Sequence, residues 1–272
     1  MTLISSLAVI GAGNIGTAIA RGLVKTGGLG ADKITLTRRH EDKLEGLAEE
    51  GFATTADNIA AVTSNDLVVL AVEPSQLNDL LEQIGSAFEP GRHTVVSVVT
   101  GAMVVDISGY LAEGVAVVRA MPNTAIAVGE SMTCLAALPE DANGLALAEK
   151  VFRTVGITLV IDEDQMSSAT ALCACGTAFF LRAIRAASQG GIEIGFHSND
   201  ALAMAAQTAK GAAALLLARG LHPEREIDQV TTPRGATISG LNEMEHQGFS
   251  SAMIRGITTS AQKVEKLYRK DD

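Results

Sequence analysis

Tryptophan is absent from this 272-residue chain and tyrosine occurs only twice. The formal net charge is −10 at pH 7. Stacking rings and a basic surface are both missing, so no nucleic-acid partner is expected. Cysteine is also scarce. Cys134, Cys173 and Cys175 cannot build a disulfide framework, which suits a reducing cytoplasm as the expected location. The Cys173/Cys175 spacing is not that of a metal pair, and His40, His93, His197, His222 and His246 show no ligand spacing, so no metal is expected. No apolar run reads as long enough to span a bilayer, and a soluble protein without a membrane partner is the expectation. The small, apolar stretch 7–20 has the look of a signal-peptide core. It lacks a preceding basic segment, however, and Gly11, Gly13, Asn14 and Gly16 interrupt it.

Against these absences, 47% hydrophobic and 19% charged residues allow a sizeable core and argue against a long disordered tract. The chain has two rhythms. Up to about Asp162, short β-branched runs (7–10, 33–37, 67–72, 94–98, 115–120, 132–138 and 157–161) alternate with amphipathic stretches (15–25, 41–50, 76–88 and 145–154). Such alternation predicts an α/β domain with a parallel sheet covered by helices. Beyond Asp162 the segments 166–173, 178–189, 200–219, 237–247 and 250–268 all read as helices, Ser198 to Asp200 and Gly220 supplying start and stop signals for the third. The predicted division is therefore 1–162 and 163–272. The helix 200–219 is rich in alanine and small on most faces, so it needs cover, either from a second copy or from its own subunit.

Gly11, Ala12, Gly13, Asn14, Ile15 and Gly16 form a G-x-G-x-x-G loop between a predicted strand and a predicted helix, the context that a Rossmann-type dinucleotide site requires. Gly11 would make the tight turn, Gly13 would admit the pyrophosphate, and Gly16 would bring helix and strand together. The phosphates would meet free N–H groups at the helix N-terminus. An NAD enzyme usually carries a carboxylate at the end of the second strand, about 20 residues on. Here Arg38 and Arg39 stand instead, suited to a 2′-phosphate. NADP(H) is the expected cofactor, with NAD(H) a poorer substitute. Alternatively the arginines form a solvated turn, with Arg39 paired to Glu41 or Asp42.

Several segments together resemble the pyrroline-5-carboxylate reductase family over nearly the whole chain. They are Asp57-Asn58, Val72-Glu73-Pro74, Met121-Pro122-Asn123-Thr124, Pro223, the run from Val230 to Leu241, and Glu245 with Gly248-Phe249. The most specific part, Val230-Thr231-Thr232-Pro233-Arg234-Gly235-Ala236-Thr237-Ile238, is similar to the family signature V-[ST]-S-P-G-G-[AT]-T-I. The resemblance implies NADPH-dependent reduction of 1-pyrroline-5-carboxylate to L-proline, the last step of proline biosynthesis. It implies that Asn58 contacts the adenine-side ribose, and that Val72, Pro74, Met121 and Asn123 belong to loops at the nicotinamide end. Thr232, Gly235, Ala236 and Thr237 would cup the substrate carboxylate, with Thr237 facing the ring nitrogen as the catalytic residue. The helical domain would form homodimers or larger assemblies of dimers.

The residues agree with this on physical grounds. Gly235, Ala236 and Thr237 precede a helical run whose first N–H groups are free donors for a carboxylate. A protonated cyclic imine is already electrophilic, so positioning matters more than a strong acid. Thr237 could alternatively cap its helix. Departures from the family are Glu73 for Lys, Ala125 for Pro, Cys175-Gly176-Thr177-Ala178-Phe179 for S-G-P-A-Y, Thr232 for Ser and Arg234 for Gly. A β-hydroxyacid-dehydrogenase-like enzyme is the nearest rival, but its acid Lys has no counterpart between Gly176 and Gln189. A non-enzymatic NADP(H)-binding sensor would need the glycine loop and not the Thr232–Thr237 segment.

Overall fold

Period-two alternation divides the strand residues between the two faces of one sheet. In β1 (Leu7–Ile10), Leu7 and Val9 enter one buried cluster and Ala8 and Ile10 another. The computed structural model describes residues 4–267. After β1 come α1 (Asn14–Lys25), β2 (Ile34–Thr37), α2 (Glu45–Glu49), β3 (Ala53–Thr55) and α3 (Asn58–Thr63). Next are β4 (Leu67–Leu70), α4 (Leu77–Ile84), β5 (Thr94–Ser97), α5 (Val104–Ser108) and β6 (Ala116–Met121). β7 (Ser131–Ala137), α6 (Ala142–Phe152) and β8 (Gly156–Val160) complete the sheet, whose order is β3-β2-β1-β4-β5-β6-β7-β8. Every residue of β1, β4 and β5 is buried, as expected for strands covered on both faces.

The expectation of a parallel sheet needs one correction, because β6 and β7 pair antiparallel. Only residues 122–130 join them, too short a link for the crossover that parallel neighbours require. The sequence reading also missed β3, a three-residue edge strand ending in two threonines, which offers no apolar alternation. It missed α3 and α5, of six and five residues, for the same reason of shortness, and a further helix at Pro223–Val230. The predicted helix 41–50 resolves into a 3₁₀ turn (Glu41–Lys43) followed by α2. A buried ion pair braces the β6 side: Arg119 Nη1 donates to Glu163 Oε1 at 3.3 Å, and the same oxygen accepts from Val104 N at 2.7 Å. Burial pushes the Arg119 pKa down, and the Glu163 carboxylate opposes that shift.

The helical half contains α7 (Met166–Ala169), a π turn (Thr170–Cys175), α8 (Gly176–Glu193), α9 (Ser198–Arg219), α10 (Pro223–Val230), α11 (Ala236–His246) and α12 (Phe249–Val264). α9 stops at Gly220, whose φ is +61°. Tyr268, where the sequence reading ended its last helix, lies outside the described residues. Of the described residues, 4–175 together with 260–267 form one compact unit, and Gly176–Thr259 the other. The expected boundary at 162/163 marks where strand-forming sequence ends, whereas compactness divides the chain after the π turn.

The helices correct another expectation, that no run is long enough to span a bilayer. Two helical stretches, Glu163–Glu193 and Ser198–Arg219, are long and apolar enough by length and composition alone to cross a membrane, with mean hydropathies of 1.3 and 1.4. Little of either is buried within the chain. Along α9 only Ala201 is fully buried, while Ala205 and Ala209 continue its stripe half-buried. That stripe packs on α8, where a Cβ added at Gly191 would stand 3.0 Å from the Ala201 methyl. Its own subunit thus covers one stripe of α9 and leaves Leu202, Met204 and Leu217 exposed.

Candidate active site

The sheet order reverses between β1 and β4, and the loop after β1 sits at that switch point, where open α/β sheets bind ligands. Gly11 adopts a φ of +103°, and a Cβ there would lie 2.7 Å from the Ala71 carbonyl oxygen at the end of β4. A Cβ on Gly16 would collide with the Gly11 carbonyl oxygen, so helix and strand approach as closely as they do only because neither position carries a side chain. Ala12 N donates to the Thr37 carbonyl at 2.7 Å and Gly11 N to the same oxygen at 3.3 Å, locking the loop to the end of β2. Nothing lies within 4 Å of a Cβ placed on Gly13, which keeps the approach to the helix open. α1 starts there with no side-chain cap and no acidic residue in its first turn, so its N–H groups remain available to an anion.

A cleft of about 540 Å³ opens at this point. Gly11, Ala12, Gly13, Arg38, Arg39, Asn58 and Val72 line it, together with Glu73 and Gln83. Seven of the sequence-assigned cofactor residues therefore meet in one place. Asn58 begins α3 behind the Asp57 cap, which accepts from Ala60 N at 3.0 Å, and Asn58 Nδ2 reaches Gln83 Oε1 at 3.3 Å. Among the described residues neither Arg38 nor Arg39 forms an ion pair, Arg38 being half-buried and Arg39 exposed. The alternative pairing of Arg39 with Asp42 is thus not formed. The end of β2 presents guanidiniums and no carboxylate, and the set fits a dinucleotide bearing a 2′-phosphate.

The other assigned residues do not line this cleft. Asn14 borders a second cavity of about 420 Å³, which shares Ala12, Gly13 and Arg38 and adds Lys43. Sequence reading missed Lys43. The available signal was a cation closely following the arginine pair, but its direction depends on how the turn after β2 folds. Ile15 packs on the core and Gly16 is buried beneath the loop. Pro74 opens a 3₁₀ turn, and Met121 is a buried end of β6. Asn123 is engaged locally: its Oδ1 accepts from Ala125 N at 3.1 Å and its Nδ2 donates to the Cys173 carbonyl at 3.3 Å. Cys173 in turn pairs with Cys134. The Cys134 thiol, as hydrogen-bond partner, brings the Cys173 pKa down to about 7 against the upward push of burial, and Cys134 itself is driven up.

The substrate-assigned segment belongs to the second unit. Thr232 and Thr237 are exposed, and Gly235 N donates to the Thr232 carbonyl at 2.8 Å, closing a tight turn. Gly235 is the N-cap of α11 and supplies no side-chain cap. Thr237 is the second residue of that helix, so the alternative in which it caps the helix is corrected. The N–H groups of Ala236 and Thr237 stand free at an uncapped helix start. Arg234 within the turn has φ +60°, the only positive φ of a non-glycine among the described residues. The family's glycine at this place is explained by that backbone, which an Arg here adopts under strain.

Residues 163–267 match the family model for pyrroline-5-carboxylate reductase dimerisation, and residues 6–101 that for NADP oxidoreductase, coenzyme F420-dependent. Pyrroline-5-carboxylate reductase 1 of Dictyostelium discoideum is 51% identical over 97% of this chain, which spans only 50% of that protein. Pyrroline-5-carboxylate reductase 2 of the same organism is 47% identical, covering 96% of this chain and 92% of the relative. Among solved structures, a pyrroline-5-carboxylate reductase from Coxiella burnetii superposes with a TM-score of 0.86 at 29% identity, over 98% of this chain and 100% of that one. A Plasmodium falciparum pyrroline carboxylate reductase with NADP bound shares the fold, with a TM-score of 0.88 at 20% identity over 99% of this chain and 100% of that one. The chain belongs to the pyrroline-5-carboxylate reductase family.

Proposed function

We propose that this protein reduces 1-pyrroline-5-carboxylate to L-proline with NADPH, closing proline biosynthesis. Two features support the reading together with family membership, and the second carries it. The first is the glycine loop and paired arginines of the cleft, which suit NADP(H) over NAD(H). The second is the uncapped start of α11, whose free N–H groups follow the Thr232–Gly235 turn and suit a carboxylate. A cofactor-binding sensor has no use for that second feature.

NADPH, when bound, supplies the hydride for the C=N carbon. The chain's own task is then binding and orientation. The α1 N-terminus and Arg38 and Arg39 hold the phosphates. Ala236 and Thr237 N–H groups hold the substrate carboxylate, and the Thr237 hydroxyl hydrogen-bonds the ring nitrogen. The imine nitrogen arrives protonated, so reduction needs no further acid from the protein. Addition of racemic pyrroline-5-carboxylate to protein and NADPH should oxidise the cofactor with matching formation of proline. Tight NADPH binding without turnover would favour the sensor. Replacing Arg38 and Arg39 by Ala should raise the KM for NADPH about tenfold or more while leaving that for NADH nearly unchanged, as expected for loss of charge-assisted bonds to a phosphate. Equal losses with both cofactors would remove the arginines from 2′-phosphate recognition.

The working unit in this reading is a homodimer, or an assembly of dimers, in which copies rather than a bilayer cover the exposed faces of α8 and α9. The setting in this reading is the cytoplasm, which keeps the free thiols Cys134, Cys173 and Cys175 reduced. Imaging of the tagged full chain tests that location.

A further inference from the structure

The three cysteines stand on two neighbouring elements of the first compact unit. Cys134 lies on β7, 2% exposed, and its register partner is Met121 at the end of β6. Cys173 and Cys175 lie on the π turn, a rare backbone form that is frequent at functional sites. Cys173 packs half-buried on the cluster of Met121, Cys134, Ala136 and Met166, and the Cys173 and Cys134 thiols hydrogen-bond each other. Cys175 comes two residues later, and side chains so spaced along a helical turn do not face the same way. Cys134 thus meets Cys173.

The pair is asymmetric. The Cys134 thiol brings the Cys173 pKa down to about 7, so much of Cys173 is thiolate near neutral pH. Cys134 is kept protonated, chiefly by its bond to the Cys173 sulfur. Once the Cys173 thiolate has reacted, that hold on Cys134 is gone. Cys173 is accordingly the attacking sulfur and Cys134 the resolving one.

We propose that Cys134 and Cys173 form a peroxide-sensitive dithiol, which closes to an intramolecular disulfide and loosens the loop 122–130. The Cys173 thiolate attacks one oxygen of hydrogen peroxide, giving a sulfenic acid and expelling hydroxide. The Cys134 sulfur then attacks the sulfenic sulfur. The S–S bond forms, the S–O bond breaks, and the thiol proton leaves with the hydroxyl as water. In total two thiols lose two electrons, and one hydrogen peroxide becomes two waters. Bringing the sulfurs from hydrogen-bond contact to about 2 Å draws Cys173 toward β7. The Cys173 carbonyl accepts from Asn123 Nδ2 at 3.3 Å, and Asn123 Oδ1 accepts from Ala125 N at 3.1 Å, so the movement reaches the loop. That loop leaves the carboxyl end of β6, which runs parallel with β5, β4 and β1. It therefore stands on the same edge of the sheet as the Gly11 loop, the edge at which such sheets hold ligands.

Peroxide treatment of the reduced full chain tests this. Remaining thiols are alkylated and an unreduced digest is read by mass spectrometry, with Cys175→Ser run beside the parent to fix the partner. A Cys134–Cys173 link that dithiothreitol reverses is expected in both proteins. In Cys134→Ala, dimedone should instead trap a sulfenic acid on Cys173. Hydrogen exchange of residues 122–130 should quicken several-fold in the oxidised parent and return on reduction. The proposal is overturned if both thiols survive peroxide, if the link joins two chains or involves Cys175, or if the loop exchanges alike in both forms. Should Cys134→Ala not fold, the link and the exchange decide. A further arm rests on the proposed function: NADPH oxidation with pyrroline-5-carboxylate should slow several-fold on peroxide treatment and recover with dithiothreitol. A reduced protein without that activity would sink the proposed function, while the disulfide would stand or fall on the mass measurement.

Discussion

At the scale of single residues, the site depends on a few backbone and side-chain choices. Thr237 is free of the capping role and available to orient a ligand. A hydrogen bond to a charged group is worth about 1.5–3 kcal/mol, so Thr237→Ala should lower kcat roughly ten- to a hundredfold without abolishing turnover. Steady-state rates on folded, NADPH-binding protein check this; an unchanged kcat would remove Thr237 from the chemistry. Arg234 occupies a left-handed backbone that glycine adopts freely. Arg234→Gly should therefore raise stability by about 1 kcal/mol in urea titrations. If its charge also attracts the anionic substrate, kcat/KM should fall several-fold at low salt, the gap closing as ionic strength rises. Identical salt profiles would deny it that role. Cys173 gives a pH test. Its thiolate fraction grows as pH rises through about 7, so its alkylation rate should climb over that range. Cys134→Ala removes the partner that holds this value down, and the alkylation midpoint should move upward. An unmoved midpoint would mean that Cys134 does not govern Cys173.

Elements show where sequence patterns carry information. The strands that build the sheet centre were legible because each is a run of β-branched residues bounded by polar turns, and β1 matches its expected limits, Leu7 to Ile10. The α1 start was legible because Gly11 and Gly16 mark a close approach that a side chain would block, while Gly13 leaves the helix start open. Short elements were not. α3 has six residues and owes its existence to the Asp57 cap and to packing of Ala61 and Val62, a tertiary matter. The placement of Pro74, Met121 and Asn123 outside the cleft lining was equally invisible, since it depends on how two loops fold and not on which residues they contain.

For the whole molecule, the decisive feature is apolar surface that one chain does not cover. Leu217 on α9 is 75% exposed, Phe180 on α8 62% and Ile194, just past α8, 77%. Exposed patches of this kind mark association surfaces. Ala209 lies instead on the half-buried stripe against α8, so a bulky change there disturbs the subunit itself. Leu217→Glu is the cleaner probe. It should raise the dimer dissociation constant at least tenfold, about 1.4 kcal/mol, with helix content unchanged. Sedimentation velocity across a concentration series measures this, and parent-like association would place Leu217 outside the interface.

The sequence by itself determined the fold class, the glycine loop and the arginine pair, because each follows from local rules. Periodicity sets which face is buried, and a glycine or a guanidinium acts wherever the backbone puts it. The resemblance carried by residues 230–241 also needed only chain order. Tertiary structure alone decided the left-handed Arg234, the uncapped start of α11, the turn of Lys43 toward the second cavity and the open edge at β8. These depend on which distant segments meet. An edge, for example, exists only once every other strand has found its neighbour, and that property belongs to no short stretch of sequence.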